Sequence, residues 1–411
     1  MSNVRTADDS PPARRKLANL NGVLQLIWRE RRISRAEVAQ RTGLSRSTVS
    51  AIVAELLPTR LIAEVGAGPS RGGRRPIVLQ FEDDAHRILG VDLGATHIAV
   101  ALTDLRGKVL NWKHRHHPVR NDPIGSQALI AELTDACLAD EDGAREALVG
   151  VGIAVPSPVD PRHPDRLSDV VMPAWRGHVI GENLRPRLGV PVLIDNDANL
   201  GALAEKWWGA GRDIDNFAYI KVATGVGSGH IIQGELYRGA AGVAGEIGHV
   251  EIDAQGPPCM CGLRGCLTTL VGAPALTARA TALLASHPES ALWGREVNLA
   301  AIEDAALAGD WLALQVVREA ADNLGVAVAG MLNLMNPALV IIGGGLSRVG
   351  ELLLEPLRNA ARSRTLLGSI SACEIVASQL GAHDIAVGAA TLVLQEALAD
   401  LRHFRRAAPP L

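Results

Sequence analysis

The sequence predicts an α/β protein in two parts, an N-terminal winged helix-turn-helix followed by a duplicated, two-lobed domain. Three observations carry that prediction: charge is divided unevenly along the chain, a helix-turn-helix-wing pattern fills the basic end, and strand, glycine turn and strand recur through the rest. Residues 1–80 hold 14 lysines and arginines against 6 acidic residues, net +8, which leaves 27 against 38, net −11, in the remainder of the 411 residues. At 47% hydrophobic and 21% charged, the composition is that of a globular chain of more than one domain, not a disordered one. No apolar run reaches the roughly 18 to 20 residues of a membrane helix. The opening MSNVRTADDSPPARRK carries no apolar signal segment, so a cytoplasmic protein is expected. Thiols stay reduced there, and clustered cysteines then point to metal or redox chemistry over disulfides.

After a flexible tail over 1–16, a DNA-binding domain is expected over 17–82. Leu20, Val23, Leu24 and Ile27 repeat at the spacing of one helix face. SRAEVAQRTG opens with Ser34 and Glu37 as a capping box and stops at Gly43; SRSTVSAIVAELL begins at Ser45 as N-cap and buries Val49, Ile52, Val53 and Leu56. That packing leaves Arg46, Ser47, Thr48 and Ser50 for base edges or phosphates if the helix enters a major groove, with Ser45 and Arg35 beside them. LIAEVG and RPIVLQF read as strands enclosing a basic hairpin with Arg71, Arg74 and Arg75. A small helical bundle that binds another protein is the plainer alternative. Capping box, glycine turn, Ser/Thr/Arg-rich helix and Arg-Gly wing together favour DNA, bound by a homodimer on an inverted-repeat operator.

The second domain is expected over 86–400, with a tail over 401–411. RILGVDLGATHIAVALTD and FAYIKVATGVGSGHIIQGELYRG are each two strands about a glycine turn; ALVGVGIAVPSPVD, VPVLIDNDANLGALAEKWWG and PALVIIGGGLSRVGELLLEPL add strands and helices. The repetition predicts two similar lobes with a cleft between them. The three glycine turns, with Asp92, Gly94 and Thr96, Thr224 and Gly225, and Gly343, Gly344 and Gly345, are candidate phosphate cradles. There is no G-x-x-x-x-G-K-[ST] and so no P-loop. His249, Cys259, Cys261 and Cys266, spaced H-x9-C-x-C-x4-C in a loop rich in glycine and proline, form a Cys3His set suited to structural zinc, with no open position for a catalytic water.

Asp92-x-Gly94-x-Thr96 is typical of actin-like sugar kinases. VDLGATHIAVALTD, GIAVPSPVD, IDNDAN, ATGVGSGHIIQGELYRGAAGVAGEIGH, CMCGLRGC and VIIGGGLS follow one another as in the ROK family (repressor, open reading frame, kinase), which the chain resembles over nearly its whole length. GEIGH with C-x-C-G-x-x-G-C is the most specific part, and the winged head resembles the family's transcriptional regulators. The resemblance implies an actin-like fold and a sugar pocket formed by Ser157, Asn196, Asp197, Glu246, His249 and Thr268, with Asp197 the general base wherever a kinase operates. Three departures stand out. Thr268 occupies a position where the family's kinases usually carry Glu, Ser157 replaces a glycine, and GATH replaces the frequent GGTK, which puts His97 where a lysine is common. The expectation is therefore a sugar-responsive transcriptional regulator, most simply a repressor of carbohydrate genes, acting as a dimer or tetramer with structural zinc. Little or no phosphoryl transfer is expected. The alternative is an ATP- and Mg-dependent sugar kinase with an accessory DNA-binding head.

Overall fold

The structure, a computed structural model, describes residues 11–67, 77–366 and 373–407. The head consists of α1 (Pro11–Glu30), β1 (Arg32–Ser34), α2 (Arg35–Thr42), α3 (Arg46–Leu56), β2 (Ile62–Ala67) and β3 (Ile77–Phe81). Helix α1 starts at Pro11, six residues inside the stretch expected to be a tail. Its two prolines sit in the first turn, where backbone N–H groups have no helical acceptor to lose. Ser34 Oγ accepts the Glu37 N–H at 3.2 Å and the Glu37 carboxylate accepts the Ser34 N–H at 3.0 Å, so the capping box forms as read. Gly43 closes α2 at φ 69°, and Ser45 caps α3 by accepting the Thr48 N–H at 3.1 Å. Strand β3 lies between β1 and β2 in a small antiparallel sheet. Strand β1 was not anticipated, because three residues are too few to show a period. Arg71, Arg74 and Arg75, assigned to the wing, lie outside the described residues.

The first lobe contains β4 (Arg87–Leu93), β5 (His97–Thr103), β6 (Val109–His116), α4 (Pro123–Ala139), β7 (Leu148–Val155), α5 (Leu184–Leu188), β8 (Val192–Asn196) and α6 (Asp197–Trp208). The second runs through β9 (Phe217–Val222), β10 (Val226–Ile232), β11 (Glu235–Tyr237), α7 (Leu267–Val271), α8 (Ala273–Leu284), α9 (Leu299–Leu307), α10 (Trp311–Met335), β12 (Leu339–Gly343), α11 (Glu351–Arg362) and β13 (Glu374–Ala377). Helices α12 (Asp384–Ala399) and α13 (Arg402–Ala407) return to the first lobe. The sheets are ordered β6-β5-β4-β7-β8 and β11-β10-β9-β12-β13. Each is an antiparallel three-strand meander extended by two parallel strands, so the duplication expected from the sequence is present strand for strand.

Helix α12 lies directly on the first sheet. A Cβ at Gly90 or Gly152 would come within 1.8 Å of the carbonyl oxygen of Ala386 or Ala389, so only glycine permits this approach. The far end of α12 enters the head: Leu394, Ala397, Leu398, Leu401 and Phe404 share one core with Leu20, Val23, Leu24 and Ile27. Residues from 401 were expected to be a tail, but Phe404 is fully buried and α13 caps the junction. One large apolar residue, Phe404, on a six-residue helix gives no periodicity to read. Among the described residues no helix is long and apolar enough to cross a membrane.

Candidate sugar-sensing cleft and metal centre

A cleft of about 1590 Å³ is lined by both lobes. Strand β8 delivers Asn196 to its floor as the N-cap of α6: Oδ1 accepts the N–H groups of Ala198 (2.9 Å) and Asn199 (3.2 Å), and Nδ2 donates to the Ser157 carbonyl at 3.2 Å. Asp195 behind it is buried and takes Arg238 on Oδ2 at 2.7 Å. Asp197, the first residue of α6, is buried; its Oδ1 accepts the Ala198 N–H at 2.7 Å and its Oδ2 accepts the Lys221 ammonium, also at 2.7 Å.

Lys221 reaches this carboxylate from β9 in the other lobe. Burial works against its charge, yet Asp197 and Asp92 outweigh that cost and hold its pKa above the ordinary lysine value. For Asp92, burial alone would raise the pKa; the hydrogen bond from His97 Nε2 at 3.1 Å and the nearby Lys221 bring it below the usual range. Asp384, at the start of α12, accepts the Tyr219 hydroxyl at 2.8 Å, and burial pushes it up to about 6. Glu246 also lines the cleft, where burial and then the Asp197 charge push it up to about 7.

Of the residues expected at the sugar, all six line the cleft. Ser157 is less available than expected, because its hydroxyl donates to the Pro158 carbonyl and accepts the Ser168 N–H, each at 3.1 Å. Of the nucleotide candidates, Asp92, Gly94, Thr224, Gly225, Gly344 and Gly345 line it as well. Thr96 and Gly343 do not. Thr96 is exposed on the outer side of its turn, and Gly343 is a packing glycine, since a Cβ there would lie 2.2 Å from the Tyr219 hydroxyl oxygen.

His249, Cys259, Cys261 and Cys266 come together as the spacing required. All four ligand atoms lie within 4.8 Å of one another, with His249 Nδ1 to Cys259 Sγ at 3.4 Å and Cys261 Sγ to Cys266 Sγ at 3.6 Å. Zinc–sulfur bonds of about 2.3 Å in a tetrahedron give edges of about 3.8 Å, so the donors fit a closed metal site. They are too far apart for a disulfide of about 2.05 Å. Gly265 makes the fold of this loop possible at φ 57°, where a Cβ would sit 1.6 Å from the Asp253 carbonyl. Cys266 then serves as the N-cap residue of α7, so the cluster sets the start of the helix that carries Thr268 into the cleft, while the Thr269 hydroxyl bonds back to the Cys266 carbonyl at 2.7 Å.

On the head, Ser45, Arg46, Ser47 and Ser50 are exposed on α3 and its cap, and Thr48 is half-buried. Arg35, also expected at the DNA, is ion-paired to Glu64 of β2 and so links α2 to the wing strand.

A ROK family model matches residues 88–396, and a winged helix-turn-helix DNA-binding model matches residues 19–57. The chain belongs to the ROK family. It is 32% identical to the xylose repressor of Caldicellulosiruptor bescii over 92% of this chain and 95% of that one. A solved ROK family transcriptional regulator, described as a homologue of the E. coli MLC protein, superposes with a TM-score of 0.79 at 28% identity, covering 95% of this chain and 98% of the other. A ROK family glucokinase from Streptomyces griseus in complex with glucose and AMPPNP gives a TM-score of 0.69 at 32% identity over 75% of this chain and 99% of its own.

Two features of this ROK domain escaped the sequence reading. Lys221 was legible only as an anomaly, a lysine inside the apolar strand FAYIKV, where burial requires a charged partner. The second is aromatic. Trp207 and Trp208 at the end of α6 meet Trp28 of the head edge-on, with ring centroids 5.3 and 6.1 Å away. Arg106 lies 4.4 Å over the Trp28 ring and donates to its carbonyl at 2.5 Å, while Trp28 Nε1 donates to the Leu105 carbonyl at 3.3 Å.

Proposed function

We propose that this ROK-family chain is a sugar-responsive DNA-binding repressor of carbohydrate genes, with the effector held in the cleft between the lobes. The observation that carries the reading is helix α6. Its first residue, Asp197, forms part of the cleft floor and its last residues, Trp207 and Trp208, press on Trp28 of the head. The helix has 12 residues, about 18 Å of rigid rod. A ligand that rearranges the bonds at Asn196 and Asp197 therefore acts on an element in contact with the DNA-binding domain. The relative named as a xylose repressor supports the direction of control and the effector class.

In this reading Asn196, Asp197, Glu246, His249 and Thr268 face the sugar. Thr268 and Ser157 contribute small neutral groups where charged or bulkier contacts would narrow the choice of ligand. Arg46, Ser47, Thr48 and Ser50 meet the operator, with Arg71, Arg74 and Arg75 against its backbone, and two copies of the chain engage an inverted repeat from the cytoplasm. The Cys3His centre holds one structural zinc ion and fixes His249 and the start of α7.

The kinase alternative requires Asp197 free to take a proton from a sugar hydroxyl, and Lys221 holds that carboxylate. The test is fluorescence anisotropy on operator DNA selected in vitro, with a panel of pentoses, hexoses, N-acetylhexosamines and their phosphates. Release by one sugar class is expected, and it should be lost in Trp28→Ala while sugar binding, read by calorimetry, persists. Salt-sensitive DNA binding that no sugar affects would overturn the sensor reading.

A further inference from the structure

The lining of the cleft is drawn from two lobes: Asn196 and Asp197 come from the first, and Glu246 comes from the second. A site split in this way is only as well defined as the joint between its halves, because freedom between them must be given up when a ligand binds. One such joint lies behind the lining. Asp195, with its side chain only 5% exposed, accepts the Asn196 N–H at 2.7 Å and Asn199 Nδ2 at 3.0 Å on Oδ1. Its Oδ2 accepts Nε and Nη2 of Arg238, both at 2.7 Å. Asp195 belongs to β8 in the first lobe, and Arg238 follows β11 in the second.

We propose that Arg238 is a positioning residue for ligand binding: by clasping Asp195 it fastens the segment 238–246 of the second lobe to the first, and so fixes Asn196 and Glu246 relative to one another. The proposal rests on the sensor reading above for the nature of the ligand, whereas the clasp itself does not depend on it.

The course of the segment supplies a second, independent observation. After Arg238 the chain crosses to the first lobe, where Gly242, at φ 75°, lies so close that a Cβ would be 2.0 Å from the Val159 carbonyl oxygen. It then returns to the second lobe, where the Gly245 carbonyl accepts the Ser228 N–H at 2.9 Å and the Ser228 hydroxyl at 3.0 Å. The Ala244 N–H donates to the Arg238 carbonyl at 3.2 Å and draws the two ends together. Glu246 is the next residue, so the segment is a strap with one fastening on each lobe and a cleft residue at its end.

The chemistry of the pair suits this task. Arginine presents two N–H groups to one carboxylate oxygen in a rigid plane, which fixes direction as well as distance. Asp195 passes that constraint to the backbone of Asn196 through its other oxygen. The second pair between the lobes, Lys221 with Asp197, lies in the cleft lining itself, where ligand hydroxyls compete for it. The Arg238 pair is outside the lining and is therefore kept when the cleft fills.

The experiment uses the full-length, zinc-loaded protein, with amide hydrogen exchange to read the joint and calorimetry to read sugar affinity. The probe is D-xylose, or whichever sugar of the panel wild type binds if xylose is not bound. Arg238→Gln should accelerate exchange about tenfold or more within 196–199 and 239–247 and leave the other strands of both sheets unchanged. Sugar affinity should fall about tenfold or more, because one partner of a buried charged pair is removed, with operator affinity intact. Arg238→Lys, which keeps the charge and one bond, should lie between the two. The double variant Arg238→Gln, Asp195→Asn should be no worse than Arg238→Gln, since both changes open one joint. Gly242→Ala lifts the strap without touching the pair, serves if Arg238→Gln does not fold, and should reproduce the same local exchange. Acceleration spread evenly over both lobes, exchange at the wild-type rate, or local acceleration with unchanged sugar affinity would each overturn the proposal. If no sugar binds wild type, the sensor reading fails, and the exchange pattern alone decides whether the clasp stands.

Discussion

The two ends of helix α6 differ in almost every physical respect. At its start, Asn196 and Asp197 are committed to hydrogen bonds and an ion pair with Ala198, Asn199, Ser157 and Lys221, arrangements that a hydroxyl-rich ligand can enter and exchange. At its finish, Trp207 and Trp208 pack on Trp28, and Trp208 Nε1 donates to Thr391 at 2.8 Å. Polar bonds are directional and can be re-partnered. Aromatic packing cannot be re-partnered without opening a void, so the junction follows whatever the helix does. In the proposed function the sensor divides its labour between these ends: the exchangeable end is assigned to the ligand, and the close-packed end touches the DNA-binding head.

The strongest way to break the polar end is to disrupt the Cys3His cluster that frames it and that is proposed to hold zinc. Cys261→Ser is expected to abolish metal binding, read as the fall from one ion per chain to none by elemental analysis. It should also weaken sugar binding through His249 and the start of α7 while leaving DNA binding by the head intact. Structural zinc sites contribute on the order of 10 kcal/mol to the folding of small domains. The local cost here should therefore exceed that of any single contact.

Next in size is Asp197→Ala, which leaves the Lys221 ammonium without its nearest carboxylate. Breaking a buried pair from one side costs about 3 to 5 kcal/mol, and a drop in denaturant midpoint with an unchanged slope is the expected signature. Trp28→Ala should cost less, about 2 kcal/mol, because the ring is only half-buried and does not reach the full 3 to 5 kcal/mol of a core tryptophan. Its effect on coupling should nevertheless be larger than that of Asp197→Ala. Sugar and operator binding then persist but no longer influence one another, a loss measurable as a coupling free energy in titrations of one ligand against the other. Equal residual coupling in both variants would erase the proposed distinction between the two ends.

The smallest effect belongs to His86, buried between Thr59 and Phe404 at the head-body junction, with Nε2 2.9 Å from the Thr59 carbonyl. Burial is the main cause that holds its pKa below the ordinary 6.5. The folded junction binds fewer protons than the unfolded chain, so this contribution is complete above about pH 6.5 and declines as the pH falls below it. His86→Gln should flatten the thermal stability profile below about pH 6.5. A profile as steep as that of wild type would assign the pH dependence to another group.

The sequence by itself determined the parts whose information is local or regular. The capping box at Ser34 and Glu37, the buried face of α3, the repeated strand and glycine-turn units and the Cys3His spacing all depend on residues close together in the chain or on an evident period. They were legible for that reason. The cysteine loop is the clearest case, since three cysteines and a histidine within eighteen residues suit a tetrahedral site and their ligand atoms do meet within 4.8 Å of one another. The tertiary structure alone decided what depends on long-range meeting. Lys221 is one odd residue in a strand until β9 brings it to Asp197, and Trp28 is an ordinary helix residue until α6 brings Trp207 and Trp208 against it. Phe404 lies in a stretch with no readable period, yet it fills the junction core because α12 carries the chain end back into the head. Pairings between residues far apart in sequence are set by the packing of whole elements, and the free energy that selects them is absent from any single segment.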